Sequence, residues 1–215
     1  MIKIKCLSDP ICPWCYIGKK CLDKAISKFN SNLIQVNWVP FQLNPNMPKD
    51  GITRKKYLIQ KFGSEKKIIE IYNPIVHKLK ENDIEFDFSK IQFTPNTINA
   101  NRLIYWAQIE EKATLLVENL FKAYFAEGKN IGNIDSLIEI SRKSGLSKKI
   151  TKKMLEHDEK IDIILEIENK YRAAGVTGVP TFIINDDYVI PGAQTKEFWL
   201  EVFEEVFQKN GRNYI

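Results

Sequence analysis

Apolar and polar positions alternate in residues 2–7, IKIKCL, up to a Leu-Ser-Asp-Pro turn, so the chain opens on a β-strand. The period then changes. Ile17, Cys21, Leu22, Ala25, Ile26 and Phe29 recur at helical spacing to about Asn30. Cys12 stands at the N-cap of that helix and Pro13 at its first position, where a missing N–H costs nothing. Alternation returns in LIQVNWVPF, residues 33–41, through Ile34, Val36 and Trp38. A strand, a helix and a strand in so short a span make a βαβ unit with a right-handed crossover.

Beyond the Pro-rich loop NPNMPKDG the period is helical over 53–62, 65–81, 95–110, 112–127, 134–144 and 147–174, the last broken near His157. Thr94-Pro95 reads as a helix start, and Gly128, Gly145 and Gly175 read as stops. Pro74, inside the second segment, is expected to kink or break it. Strand character reappears in VPTFIIN, residues 179–185, turns at Asp186-Asp187 and continues in YVIPG. An amphipathic helix from Thr195 to Lys209 closes the chain, with Phe198, Val202, Phe203, Val206 and Phe207 on its apolar face. The order βαβ, helical block, ββα predicts an α/β fold. Residues 1–45 and 170–215 would form one discontinuous domain, and 46–169 an inserted all-helical domain.

At 215 residues and 44% hydrophobic content, the chain can bury a core without help from disulfides. The net charge of +5 is spread over lysine doublets at 19/20, 55/56, 66/67, 148/149 and 152/153, with acids between them. Such a pattern suits solvated helix faces, and nucleic acid is not expected as a partner. No apolar run approaches the roughly 18–20 residues of a membrane span. Lysines interrupt the N-terminal MIKIKCLSDP before any apolar stretch of secretory length, so the expectation is a cytoplasmic protein, monomeric or homodimeric.

All four cysteines lie within the first 21 residues. Cys12-Pro-Trp-Cys15 follows a strand and opens a helix, the setting in which C-x-x-C reads as a redox pair. Partial positive charge and free N–H groups at a helix N-terminus stabilise a thiolate at Cys12. Cys15, one turn on and on nearly the same face, is placed to attack a mixed disulfide at Cys12. A zinc site would need two further ligands, and Cys6, Cys21, His77 and His157 make no second knuckle, so no metal is expected. Cys21 is rotated about 180° from Cys12 on the helix and cannot resolve it. Cys6 and Cys21 read as core residues, with a bridge between them as the minority reading. Asp9 reads first as a turn former before Pro10. The other reading is a carboxylate that opposes the Cys12 thiolate. Pro180 stands at the start of a strand, where trans is the default and a cis bond would present extended backbone to a substrate peptide.

Taken together, SDPICPWCYIGK, PFQLNPNMPKDG, PNTINANRL, LFKAYFAEGKNI, GVTGVPTFIIND and PGAQ resemble the DsbA-like branch of the thioredoxin superfamily. More narrowly they resemble FrnE-type proteins, which are related to 2-hydroxychromene-2-carboxylate isomerases. The resemblance implies a thioredoxin fold with a large helical insertion and a thiol–disulfide oxidoreductase. It implies Cys12 as nucleophile, Cys15 as resolving thiol and Pro180 as a cis-proline against them. Pro13, Trp14 and the Val179 backbone would contact protein or low-molecular-weight thiol substrates. No cofactor beyond the cysteine pair is implied; glutathione would enter only as a co-substrate. The isomerases and kappa-class glutathione transferases carry serine where this chain has Cys12, which favours disulfide exchange over glutathione-dependent isomerisation or transfer. Many relatives carry histidine where this chain has Asn101, so a proton-transfer role is not carried over there. A chaperone-like peptide-binding module, with the thiols incidental, is the alternative from another class.

Overall fold

In the computed structural model, which describes residues 1–29, 31–158 and 160–212, strand β1 (Ile2–Ser8) is an inner strand of a four-stranded sheet. It pairs in parallel with β2 (Ile34–Pro40) and antiparallel with β5 (Thr181–Ile184). The edge strand β6 (Tyr188–Pro191) pairs antiparallel with β5. Ile2, Ile4 and Cys6 are buried at alternate positions, while Lys3 is exposed, as a period of two requires. Register sets Cys6 opposite both Trp38 and Phe182, so one sheet face becomes a continuous apolar surface.

Helix α1 (Pro13–Phe29) covers that surface beside the C-terminal helix, numbered below as α9 (Lys196–Arg212). Trp199 and Phe203 are fully buried, and the Trp199 ring meets Phe182 edge-on at 4.9 Å between centroids. Gly18 lets α1 come close: a Cβ there would stand 3.3 Å from both Phe182 Cζ and Pro180 Cγ. On another side of the same helix, Tyr16 stacks on Phe121 at 4.8 Å and on Phe125 at 5.8 Å. Both phenylalanines belong to α5 (Ala113–Phe125).

The helices between β2 and β5 are α2 (Arg54–Phe62), α3 (Glu65–Glu81), α4 (Ile98–Ile109), α5 (Ala113–Phe125), α6 (Ile134–Lys143), α7 (Lys148–Glu156) and α8 (Ile161–Ala173). Of these, α4, α5 and α8 pack against β2. Two expectations need adjusting, and a third holds. The segment 95–110 becomes helical only at Ile98, because Phe93–Thr94 forms a short strand, β4, paired with β3 (Ile52–Thr53). Pro74 does not break α3, which runs on to Glu81. The carbonyl left without a donor is that of Glu70, an exposed residue where water can serve. The break near His157 is real, and Lys160 adopts a left-handed conformation just ahead of α8. Asn30, where the pattern ends the first helix, lies outside the described residues, as do residues 213–215. Among the described residues no helix is long and apolar enough to cross a membrane.

Candidate active site

The four residues between β1 and α1 are shaped by the Asp9 carboxylate. Its Oδ1 accepts from the Ile11 N–H at 3.1 Å. Its Oδ2 accepts from the Leu43 N–H at 2.6 Å and from the Thr97 hydroxyl at 3.0 Å. The Asp9 carbonyl in turn accepts from the Cys12 N–H at 3.0 Å. Both readings of Asp9 therefore hold: the Ile11 bond is a turn contact, and the carboxylate lies close enough to raise the pKa of Cys12. Asp9 is fully buried, and burial pushes its pKa up to about 6 against the pull of its three donors.

Cys12 stands just before the first residue of α1, and its carbonyl accepts from the Cys15 N–H at 3.1 Å and the Tyr16 N–H at 3.3 Å. The two thiols are shifted in opposite directions. Cys12 is held below the ordinary thiol value, chiefly by a hydrogen bond from the Cys15 thiol and also by the N–H groups of Cys15 and Trp14, against burial and the Asp9 charge. Cys15 is pushed well above it by burial, by its bond to Cys12 and by the Cys12 charge. Ser8 and the Asp9 N–H act on Cys15 in the opposite sense. One sulfur is thus prepared as thiolate and the other keeps its proton.

Across from Cys12 lies the segment that precedes β5. The Val179–Pro180 peptide bond is cis, and the Val179 carbonyl oxygen is 3.5 Å from the Cys12 Sγ. The Pro180 carbonyl accepts from the Gly192 N–H at 2.8 Å, and the Thr181 hydroxyl donates to the Gly178 carbonyl at 2.8 Å. The structure thus brings Cys12, Pro13, Trp14, Cys15, Val179 and Pro180 to one end of the sheet, although 162 residues lie between Cys15 and Gly178 in sequence. The profile of DSBA-like thioredoxin domains matches residues 3–204, which includes both segments. The chain belongs to that family.

Relatives of this DSBA-like chain agree along nearly its whole length. YwbO of Bacillus subtilis is 31% identical over 209 residues, covering 95% of this chain and 94% of that protein. A probable DsbA oxidoreductase from Streptomyces coelicolor superposes with a TM-score of 0.87 at 22% identity, over 97% of this chain and 91% of that one. A 2-hydroxychromene-2-carboxylate isomerase superposes with a TM-score of 0.74 at 18% identity, over 99% of both chains. At such identities the two superpositions establish the shared DsbA-like fold.

The other cysteines of the DSBA-like chain stand apart from this pair. All four are free thiols, so the Cys6–Cys21 bridge does not form. Burial raises the pKa of both Cys6 and Cys21, and the Cys21 thiol donates to Asn82 Oδ1 at 3.3 Å. A cavity of about 290 Å³ runs from half-buried Trp14 past Ile17 to Cys21 and Lys78. Asn101 is buried in α4, and its side-chain amide donates to the Thr97 carbonyl at 3.1 Å. It steadies the turn that carries the Thr97 hydroxyl. Sequence reasoning missed Thr97, the Leu43 N–H and Ser8. It also missed Arg54, whose buried guanidinium donates to the hydroxyls of Thr94, Tyr124 and Tyr72. A serine continuing the buried alternate positions Ile2, Ile4 and Cys6 was a signal for Ser8; nothing local marked the others.

Proposed function

We propose that this chain is a thiol–disulfide oxidoreductase that exchanges disulfides through Cys12 and Cys15. The observation that carries the reading is the opposed shift of the two sulfurs at the start of α1, within reach of the Val179 carbonyl. In the first step the Cys12 thiolate attacks one sulfur of a substrate disulfide. That S–S bond breaks, the other substrate sulfur leaves as thiolate, and a mixed disulfide forms at Cys12. In the second step Cys15 gives its proton to solvent and attacks the Cys12 sulfur. The substrate's remaining thiolate leaves, and Cys12 and Cys15 end as an internal disulfide. Two electrons pass from the protein dithiol to the substrate, and run backwards the same steps oxidise a substrate dithiol.

Trp14 and the cavity behind it supply apolar surface, and Val179 supplies main-chain polar groups, for an extended segment carrying the reactive cysteine. Both protein disulfides and small ones such as oxidised glutathione suit that combination. Residues 46–169 read on this view as an inserted unit that walls the site.

The test is mass spectrometry of the parent protein, Cys12→Ser and Cys15→Ala after incubation with oxidised glutathione. The parent should end two hydrogens lighter, Cys15→Ala should hold one glutathione on Cys12, and Cys12→Ser should do neither. Absence of the adduct on Cys15→Ala would overturn the reading. A glutathione-dependent isomerase would instead keep its activity without Cys15, and a chaperone would keep its activity without either thiol.

A further inference from the structure

The register of β5 with β6 sorts their side chains onto two faces. Pro180 and Phe182 turn towards α1, where each would stand 3.3 Å from a Cβ at Gly18. Phe182 pairs with Ile190, so Thr181 and Ile183, paired with Pro191 and Val189, point to the face away from α1. These four line one cavity of about 490 Å³, together with Val176 and Val179. Among the described residues no charged side chain lines it. The Thr181 hydroxyl is spent on the Gly178 carbonyl, and Val189 is 60% exposed, so the cavity is both apolar and open.

The cavity and the reactive sulfur share one residue. Val179 lines the cavity, and its carbonyl oxygen is 3.5 Å from the Cys12 Sγ. Its N–H donates to no group among the described residues. An extended segment pairing with this main chain would prolong the sheet, with successive side chains on opposite faces. Cys12 leads into α1, so a substrate cysteine that meets it must point to the α1 face. The residues on either side of that cysteine then point to the other face, where the cavity lies.

We infer that this cavity receives the side chain next to the reactive cysteine, so that the protein selects disulfides of polypeptide segments with an aliphatic residue beside cysteine. The inference rests on the dithiol reading above and names its substrate class. Walls of this kind favour an aliphatic group and oppose a polar one, which would lose water without gaining a partner. Glutathione, with glycine on one side of its cysteine and a γ-linked glutamate on the other, would leave the cavity unfilled. Val176 and Val189 are the specificity-determining residues.

The test uses the peptide alanine-leucine-cysteine-leucine-alanine and its counterpart with asparagine for both leucines, each carrying nitrothiobenzoate in disulfide linkage on the cysteine. In Cys15→Ala the Cys12 thiolate attacks the peptide sulfur and the S–S bond breaks. The aromatic thiolate leaves with the electron pair and absorbs visible light, and the peptide stays on Cys12, where mass spectrometry finds it. Cys12→Ser with Cys15→Ala is the blank. The leucine peptide should react about tenfold faster, the scale of a leucine side chain partly withdrawn from water at the transition state. Adding Val176→Asn and Val189→Asn should slow the leucine peptide alone and bring the ratio below about threefold. A peptide with its leucines moved one place outwards should react equally with and without those two changes. Equal rates for the first two peptides, or a ratio that survives Val176→Asn and Val189→Asn, would overturn the role of the cavity and leave the dithiol reading standing. Release of aromatic thiolate no faster than in the blank would instead overturn the dithiol reading itself.

Discussion

The Thr97 hydroxyl donates to Asp9 Oδ2 at 3.0 Å across 88 residues of sequence, and by this bond the loop carrying the thiols is fastened to the first turn of α4. The carboxylate it holds is buried beside two sulfurs, so its charge is felt by everything that ionises there.

Asp9→Asn removes a negative charge that opposes the Cys12 thiolate. The ultraviolet thiolate absorbance of Cys12 should titrate lower by about one pH unit, the scale of one nearby like charge. Stability should change its pH dependence as well. The folded protein keeps the Asp9 proton up to about pH 6, whereas the unfolded chain releases it near 3.8, so rising pH favours unfolding across that interval. Urea titrations should find the parent losing stability there by about 2–3 kcal/mol relative to Asp9→Asn.

Thr97→Val deletes a donor to the ionised carboxylate while keeping the shape of the side chain. The expected cost is about 1–2 kcal/mol in urea unfolding at neutral pH, where Asp9 is charged. Below about pH 6 the protonated acid needs that donor less, and the deficit should shrink. A deficit that stays constant from acid to neutral pH would count against this account of the bond.

Glu118 on α5 faces two lysines of α1: Lys19, almost wholly buried, at 2.9 Å and Lys20 at 2.6 Å. Burial alone would raise the Glu118 pKa, but the Lys19 charge and the lysine hydrogen bonds bring it down to about 2. A depressed folded pKa means that the contribution is full above the unfolded value of 4.5 and fades as pH falls towards 2. Glu118→Gln should therefore cost about 2–3 kcal/mol at neutral pH. Its unfolding midpoint should converge with that of the parent under acid.

Gly18 offers a test of the packing beneath Pro180. Gly18→Ala gains helix propensity of about 1 kcal/mol and meets two neighbours at 3.3 Å, so it should unfold close to the parent. Gly18→Leu cannot be seated without moving Pro180 or Phe182, and should cost about 2–3 kcal/mol. Both are read by denaturant midpoints.

The sequence made the architecture legible wherever a period repeated. Ile2, Ile4 and Cys6 announced β1, Phe198 to Phe207 announced α9, and Cys12-Pro13 announced the start of α1 together with its chemistry. The pairing of β3 with β4 was hidden because two residues cannot establish a period. The environment of the thiols was hidden for another reason. Leu43 and Thr97 reach Asp9 only after the chain has folded over itself, and no spacing within SDPICPWC encodes partners 34 and 88 residues away. Gly178-Val179-Pro180 was visible as an anomaly before a strand, while its proximity to Cys12 came from the pairing of β1 with β5.

Tyr16 and Gly18 lie about 200° apart around α1. One docks on the rings of α5, and the other on Pro180 and Phe182. The helix bearing the thiols is therefore gripped independently by two regions of the chain, and its sulfurs take their acidity from its own first turn and from Ser8 and Asp9. Drift in the part of α3 that lines the cavity beside Trp14, Lys78 and Glu81, can change which molecules gain entry without retuning the sulfurs. Reactivity and selectivity are in this sense separate inheritances, able to diverge at different speeds within one fold.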